Sequence, residues 1–173
     1  MTPANRDKPT EEFTIFAERF MHFMNLYTVY RDMLSGHYVP TVNPPSNEPA
    51  TFARTNETVM FMLYAYLYSL IEQDDQSINA FRIWRARFPE EENAIAAVEA
   101  QVMLFADHLK RFRNRLGFHG SRSRTHEASG FDLFANFSGT QILTAIDGFK
   151  SLGAKLFAKD LERQKAAAKS HTT

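Results

Sequence analysis

From Phe13 to Leu34 the residues Phe13, Phe16, Phe20, Phe23, Tyr27, Tyr30 and Leu34 recur at alternating steps of three and four. That rhythm places every one of them on one side of an α-helix, whereas a half-buried strand would step by two. No stretch alternates apolar and polar residues for long enough to build a sheet, and glycine and proline gather at breaks. The fold class that follows is all-α, and the aromatic stripe is read as core or dimer seam.

The same period marks out the other helices. Thr10 precedes Glu11 and Glu12 and is placed to cap the first helix, which should end near Gly36. His37 to Glu48 holds three prolines and reads as a loop. A second helix is expected from about Thr51 to Gln73, with Phe52, Val59, Met60, Leu63, Tyr66, Leu67, Leu70 and Ile71 facing inward. Glu72, Asp74 and Asp75 cluster at its end, where the helix dipole disfavours negative charge. Asp74 and Asp75 read as solvated; Glu72 is either solvated or paired with arginines farther along the chain. A short third helix, Ser77 to Phe88, offers Ile78, Phe81, Trp84 and Phe88 to the core and leaves Arg82, Arg85 and Arg87 outside.

Pro89 followed by Glu90, Glu91 and Glu92 opens a fourth helix, with proline in the first turn and carboxylates at the positive end of the dipole. Its stripe runs Ile95, Val98, Val102, Phe105, Leu109, Phe112 and Leu116, with His119 on the next step. Gly117 and Gly120 can each end that helix, so His119 lies either on its last turn or just past it. A short helix over Glu127 to Phe137 and a long one restarting at Ser138 complete the chain. Ile142, Ala145, Phe149, Leu152 and Leu156 turn the last helix back onto the others. The expected architecture is a bundle of four to five main helices.

At 173 residues and 44% hydrophobic, the chain can bury one substantial core. The division expected is a flexible N-terminus over 1–10, one helical domain over 11–160 and a polar C-terminal tail over 161–173. There is no cysteine, which rules out disulfides, thiolate metal ligands and a thiol nucleophile. Met1 to Thr10 lacks the apolar core of a secretory signal, and the most apolar run, Val59 to Ile71, is 13 residues long, short of the ~20 needed to span a bilayer. A cytoplasmic protein without a membrane anchor is the expectation.

Function is sought in Lys110 to Glu127, which up to His126 carries six Lys/Arg and no carboxylate in a chain of zero formal net charge. Local positive charge of this kind steers polyanions, and the attraction weakens with salt. Arg113 and Arg115 bring guanidinium forks that match phosphate oxygens, and His119 brings a group able to exchange a proton near neutral pH. Cations in a last helical turn also complement the dipole, which accounts for the arginines without any ligand.

Arg113-Asn114-Arg115-Leu116-Gly117-Phe118-His119 resembles the Arg-x(4–6)-His signature of the HEPN superfamily, with five residues between arginine and histidine and a polar residue after the arginine. HEPN domains are all-α bundles that carry this motif at the end of a long helix in the second half of the chain. The resemblance implies a metal-independent endoribonuclease of toxin–antitoxin, phage-defence or RNA-processing type, often a homodimer with two motifs meeting at the interface, sometimes held by an antitoxin or other protein partner. Some members bind without catalysis.

The chemistry can be assembled from the residues themselves. When a 2′-hydroxyl attacks the adjacent phosphate, a base removes its proton, an acid protonates the departing 5′-oxygen, and charge grows on the phosphorane. His119 is suited to base or acid, a role typically worth ~10²–10⁴ in rate. Arg113 would stabilise the phosphorane and Asn114 would orient the phosphate or the imidazole. Arg115, Arg122 and Arg124 are candidate contacts to the RNA backbone, which add affinity without sequence choice. The scheme needs no metal and no cofactor. His126 reads as flanking the following helix. The competing reading is a non-catalytic helical module in which the same patch binds nucleotide, RNA or a protein partner.

Overall fold

The computed structural model describes residues 8–37, 49–116 and 136–170. They form six α-helices with no strand among them: α1 (Lys8–Leu34), α2 (Pro49–Ile71), α3 (Ala80–Arg87), α4 (Glu92–Met103), α5 (Ala106–Leu116) and α6 (Gly139–Ser170), with a 3₁₀ turn at Pro89–Glu91 before α4. The chain is thus an all-α bundle. No helix among the described residues is long and apolar enough to cross a membrane. α1 packs on α2, α2 on α5, and α4 on α6.

Four helix ends are closed by local chemistry. α1 stops in a Schellman motif: Gly36 takes a left-handed backbone (φ 73°), His37 N–H reaches the Asp32 carbonyl at 2.9 Å and Gly36 N–H the Met33 carbonyl at 3.2 Å. The expected stripe is buried from Phe16 to Tyr30, but in the last turn Met33 is buried and Leu34 is exposed. Asn79 closes two helices together. Its Nδ2 donates to the carbonyls of Ile71 and Glu72, both at 3.1 Å, and its Oδ1 accepts from Arg82 N–H at 2.9 Å. One buried amide therefore satisfies the end of α2 and the start of α3. At the start of α6, Ser138 and Gln141 form a reciprocal capping box, Gln141 N–H to Ser138 Oγ at 3.2 Å and Ser138 N–H to Gln141 Oε1 at 2.8 Å.

The core is a cage of rings around Trp84. Phe16, Phe20, Phe81 and Phe149 stand 5.0 to 6.1 Å from it, centroid to centroid. Phe20 and Phe157 join α1 to α6 at 5.3 Å. Where Phe20 meets α6, the position is Gly153, and a Cβ there would lie 2.1 Å from Phe20 Cζ. Alanine is the better helix former by ~1 kcal/mol, yet Phe20 is fully enclosed and has nowhere to move. Gly153→Ala is therefore expected to destabilise the fold by about 1–3 kcal/mol. A urea melt showing the variant as stable as wild type would mean that the two helices slide apart freely at this point.

The expected fourth helix is two helices and a turn. The buried stripe Ile95, Val102, Phe105 and Leu109 holds, but the helix breaks at Leu104–Phe105, where Phe105 N–H bonds to the Val102 carbonyl at 3.0 Å. The partners explain the break, since α4 lies on α6 while α5 lies on α2, so the axis must turn between them. Leu104 is left 65% exposed on the outside of the bend. Of the expected short helix before α6, Phe137 is described and stacks edge-on to Phe105 at 4.6 Å; Phe131 and Phe134 lie outside the described residues.

α6 also carries a seam of charge. Arg87 meets the buried Asp160 at 2.6 Å, and Lys155 and Lys159 hold Glu91 at 2.7 and 2.8 Å. Hydrogen bonds from Lys155 and Lys159 bring the Glu91 carboxyl down from its ordinary 4.5 to about 2. A carboxyl with a depressed folded-state pKa stabilises the fold above its unfolded value and loses that contribution as pH falls through the folded one. The Tm advantage of wild type over Glu91→Gln should accordingly shrink between pH 4.5 and 2. A gap that stays constant across that window would show that the lysines contribute nothing through charge.

Candidate anion-binding site at the end of α5

α5 is sharply two-sided. Phe105, just before it, and Leu109 are buried, while Lys110, Arg111, Arg113 and Asn114 are exposed. Arg113 lies on the last turn of α5 and reaches back to α2. Its Nη1 donates to Glu72 Oε1, and its Cζ sits 5.6 Å from the centre of the Tyr68 ring. Glu72 is the carboxylate whose partner the sequence left undecided, and the ion pair decides it. The other Glu72 oxygen accepts from Ser77 Oγ at 3.2 Å. Arg113 keeps 45% of its side chain in solvent and Glu72 only 19%, so the guanidinium lies across the rim and the carboxylate is sunk beneath it.

Beside this pair, between the end of α2 and the start of α5, lies an open cleft of about 330 Å³. Tyr68, Ile71, Met103 and Ala106 give it apolar walls, and Glu72, Asp107 and Lys110 line its edge. Burial raises the Tyr68 phenol above its ordinary value; the Glu72 charge adds to this and Arg113 opposes it. Asp74, at the same helix end, serves a turn, taking the Gln76 N–H at 2.7 Å.

Of the residues singled out in the sequence, Arg113 and Asn114 stand together, both exposed, on α5. Arg115 belongs to the same helix, with its side chain outside the described residues, and His119, Arg122, Arg124 and His126 lie outside them as well. The arginines of α3 do not extend the basic surface. Arg82 pairs with Glu12 at 2.7 Å, Arg85 with Glu92 and Glu99 at 3.0 and 2.5 Å, and Arg87 with Asp160. No protein-family model, curated protein or solved structure matches this chain.

Two contributors to the site escaped the sequence reading. Tyr68 lies four residues before Glu72, hence on the same face of α2, and that spacing was a usable signal. Ser77 is brought in by the turn after α2 and left no pattern to find.

Proposed function

We propose that this chain is a HEPN-like, metal-independent endoribonuclease that cleaves RNA through attack of the 2′-hydroxyl on the adjacent phosphate. The observation that supports it is an exposed guanidinium at the end of α5, over an aromatic ring beside a cleft, with His119 six positions farther along the sequence. In this reading Arg113 stabilises the phosphorane, Asn114 orients the phosphate, and His119 moves the proton. Arg115, Arg122 and Arg124 hold the RNA backbone. A homodimer would supply a second His119, so that one imidazole acts as base and the other as acid, and an antitoxin or other protein partner would cover the pair. The protein would work in the cytoplasm.

The deciding experiment incubates purified wild type and His119→Ala with end-labelled mixed RNA in the presence of a chelator. The products are then examined for 2′,3′-cyclic phosphate ends. Wild type is expected to produce them and His119→Ala is not. Equal inactivity of the two folded proteins would overturn the ribonuclease reading. Salt-sensitive RNA binding without turnover would then assign the patch to a binding module.

A further inference from the structure

We propose that Glu72 is a built-in competitor for the RNA phosphate: it occupies the Arg113 guanidinium in the free protein, and a phosphate of single-stranded RNA displaces it on entering the cleft. This rests on the reading of Arg113 as a phosphate ligand and names what controls that ligand. Three observations carry it. The Glu72 carboxylate occupies Arg113 Nη1, one prong of the guanidinium that a phosphate oxygen would bind. Ser77 Oγ holds the second oxygen, so Glu72 keeps a donor when Arg113 leaves. The Tyr68 ring 5.6 Å beneath the guanidinium keeps Arg113 at the rim after the exchange.

Placement favours competition over a purely structural pair. Glu72 follows the last turn of α2, where the dipole opposes a carboxylate, so the helix itself gives it no reason to be negative. Lys110 is one turn before Arg113 on α5, lines the same cleft and has no carboxylate in ion-pair contact among the described residues. An arriving phosphate therefore meets one cation that forms no ion pair among the described residues and one that must be released. The expected consequence is that affinity for RNA in wild type is held below what the two cations would give alone.

The test measures binding of a short fluorescent 2′-O-methyl RNA, which cannot be cleaved by this chemistry, to wild type, Glu72→Gln, Asp107→Asn, Arg113→Gln and the Glu72→Gln/Arg113→Gln double variant, each with its fold checked by circular dichroism. Glu72→Gln keeps the shape and the Ser77 contact and should tighten binding roughly three- to fivefold. Asp107→Asn removes the same charge from the same cleft without touching Arg113, and should change it less than about twofold. The gain should vanish in the double variant. Binding by Glu72→Gln no tighter than by Asp107→Asn, a gain that survives without Arg113, or no binding by any variant would overturn the proposal. Cleavage is read separately from cyclic-phosphate ends, so a ribonuclease without competition by Glu72 and competition without cleavage give different results.

Discussion

Arg113→Ala is expected to slow RNA cleavage by roughly 10²–10³-fold, the loss of about 3–4 kcal/mol that follows removal of one preorganised donor to a developing oxyanion. The fold should hardly notice. Arg113 is 45% exposed, and an ion pair in that position is worth about 0–1 kcal/mol, which for a chain of this size moves Tm by no more than about 4 °C. Glu72 is left with its Ser77 contact, which limits the cost of losing its partner. The split between a large kinetic loss and a small thermal one separates a ligand-binding arginine from one that merely caps a helix. If Arg113→Ala lowered Tm sharply while leaving cleavage intact, the pair with Glu72 would be architecture and the phosphate role would fall. Arg113→Lys should recover part of the rate, because a point charge remains where the planar fork is lost.

Much of the bundle was written in local periodicity, because burying one face of a helix leaves a mark every three or four residues. The stripes from Phe16 to Tyr30 and from Ile142 to Leu156 are buried as their spacing requires. What periodicity cannot register is a change of partner. The break at Leu104–Phe105 leaves the stripe intact across it, since both halves bury the same rows, one on α6 and the other on α2. The fate of charges was equally hidden. Arg82, Arg85 and Arg87 looked like one wet face, yet their carboxylates come from α1, α4 and α6. At the site, the negative end of α2 facing the wrong pole of its dipole was the signal that Glu72 needed a cation. Which cation it would find, 41 residues away, followed only from α5 lying along α2.

The largest stability loss should come from Trp84→Ala, at about 3–5 kcal/mol out of the roughly 5–15 that hold an ordinary domain together. Trp84 is fully buried and is the ring on which α1, α3 and α6 converge, through Phe16 and Phe20, Phe81, and Phe149. Four rigid rings cannot close over the space an indole leaves, so the cavity persists and its lining loses contacts outright. Because Trp84 is the only tryptophan, its fluorescence follows unfolding of wild type, while the variant must be followed by far-ultraviolet circular dichroism in urea. Trp84→Phe sharpens the argument. The indole Nε1 is buried with no acceptor among the described residues, and an unmet donor carries its own penalty. Phenylalanine removes that donor along with part of the volume, so its cost should be much smaller, about 1–2 kcal/mol. Equal losses for alanine and phenylalanine would place the weight on the indole N–H, and a mild effect of alanine would show that the aromatic cage collapses where its geometry says it cannot.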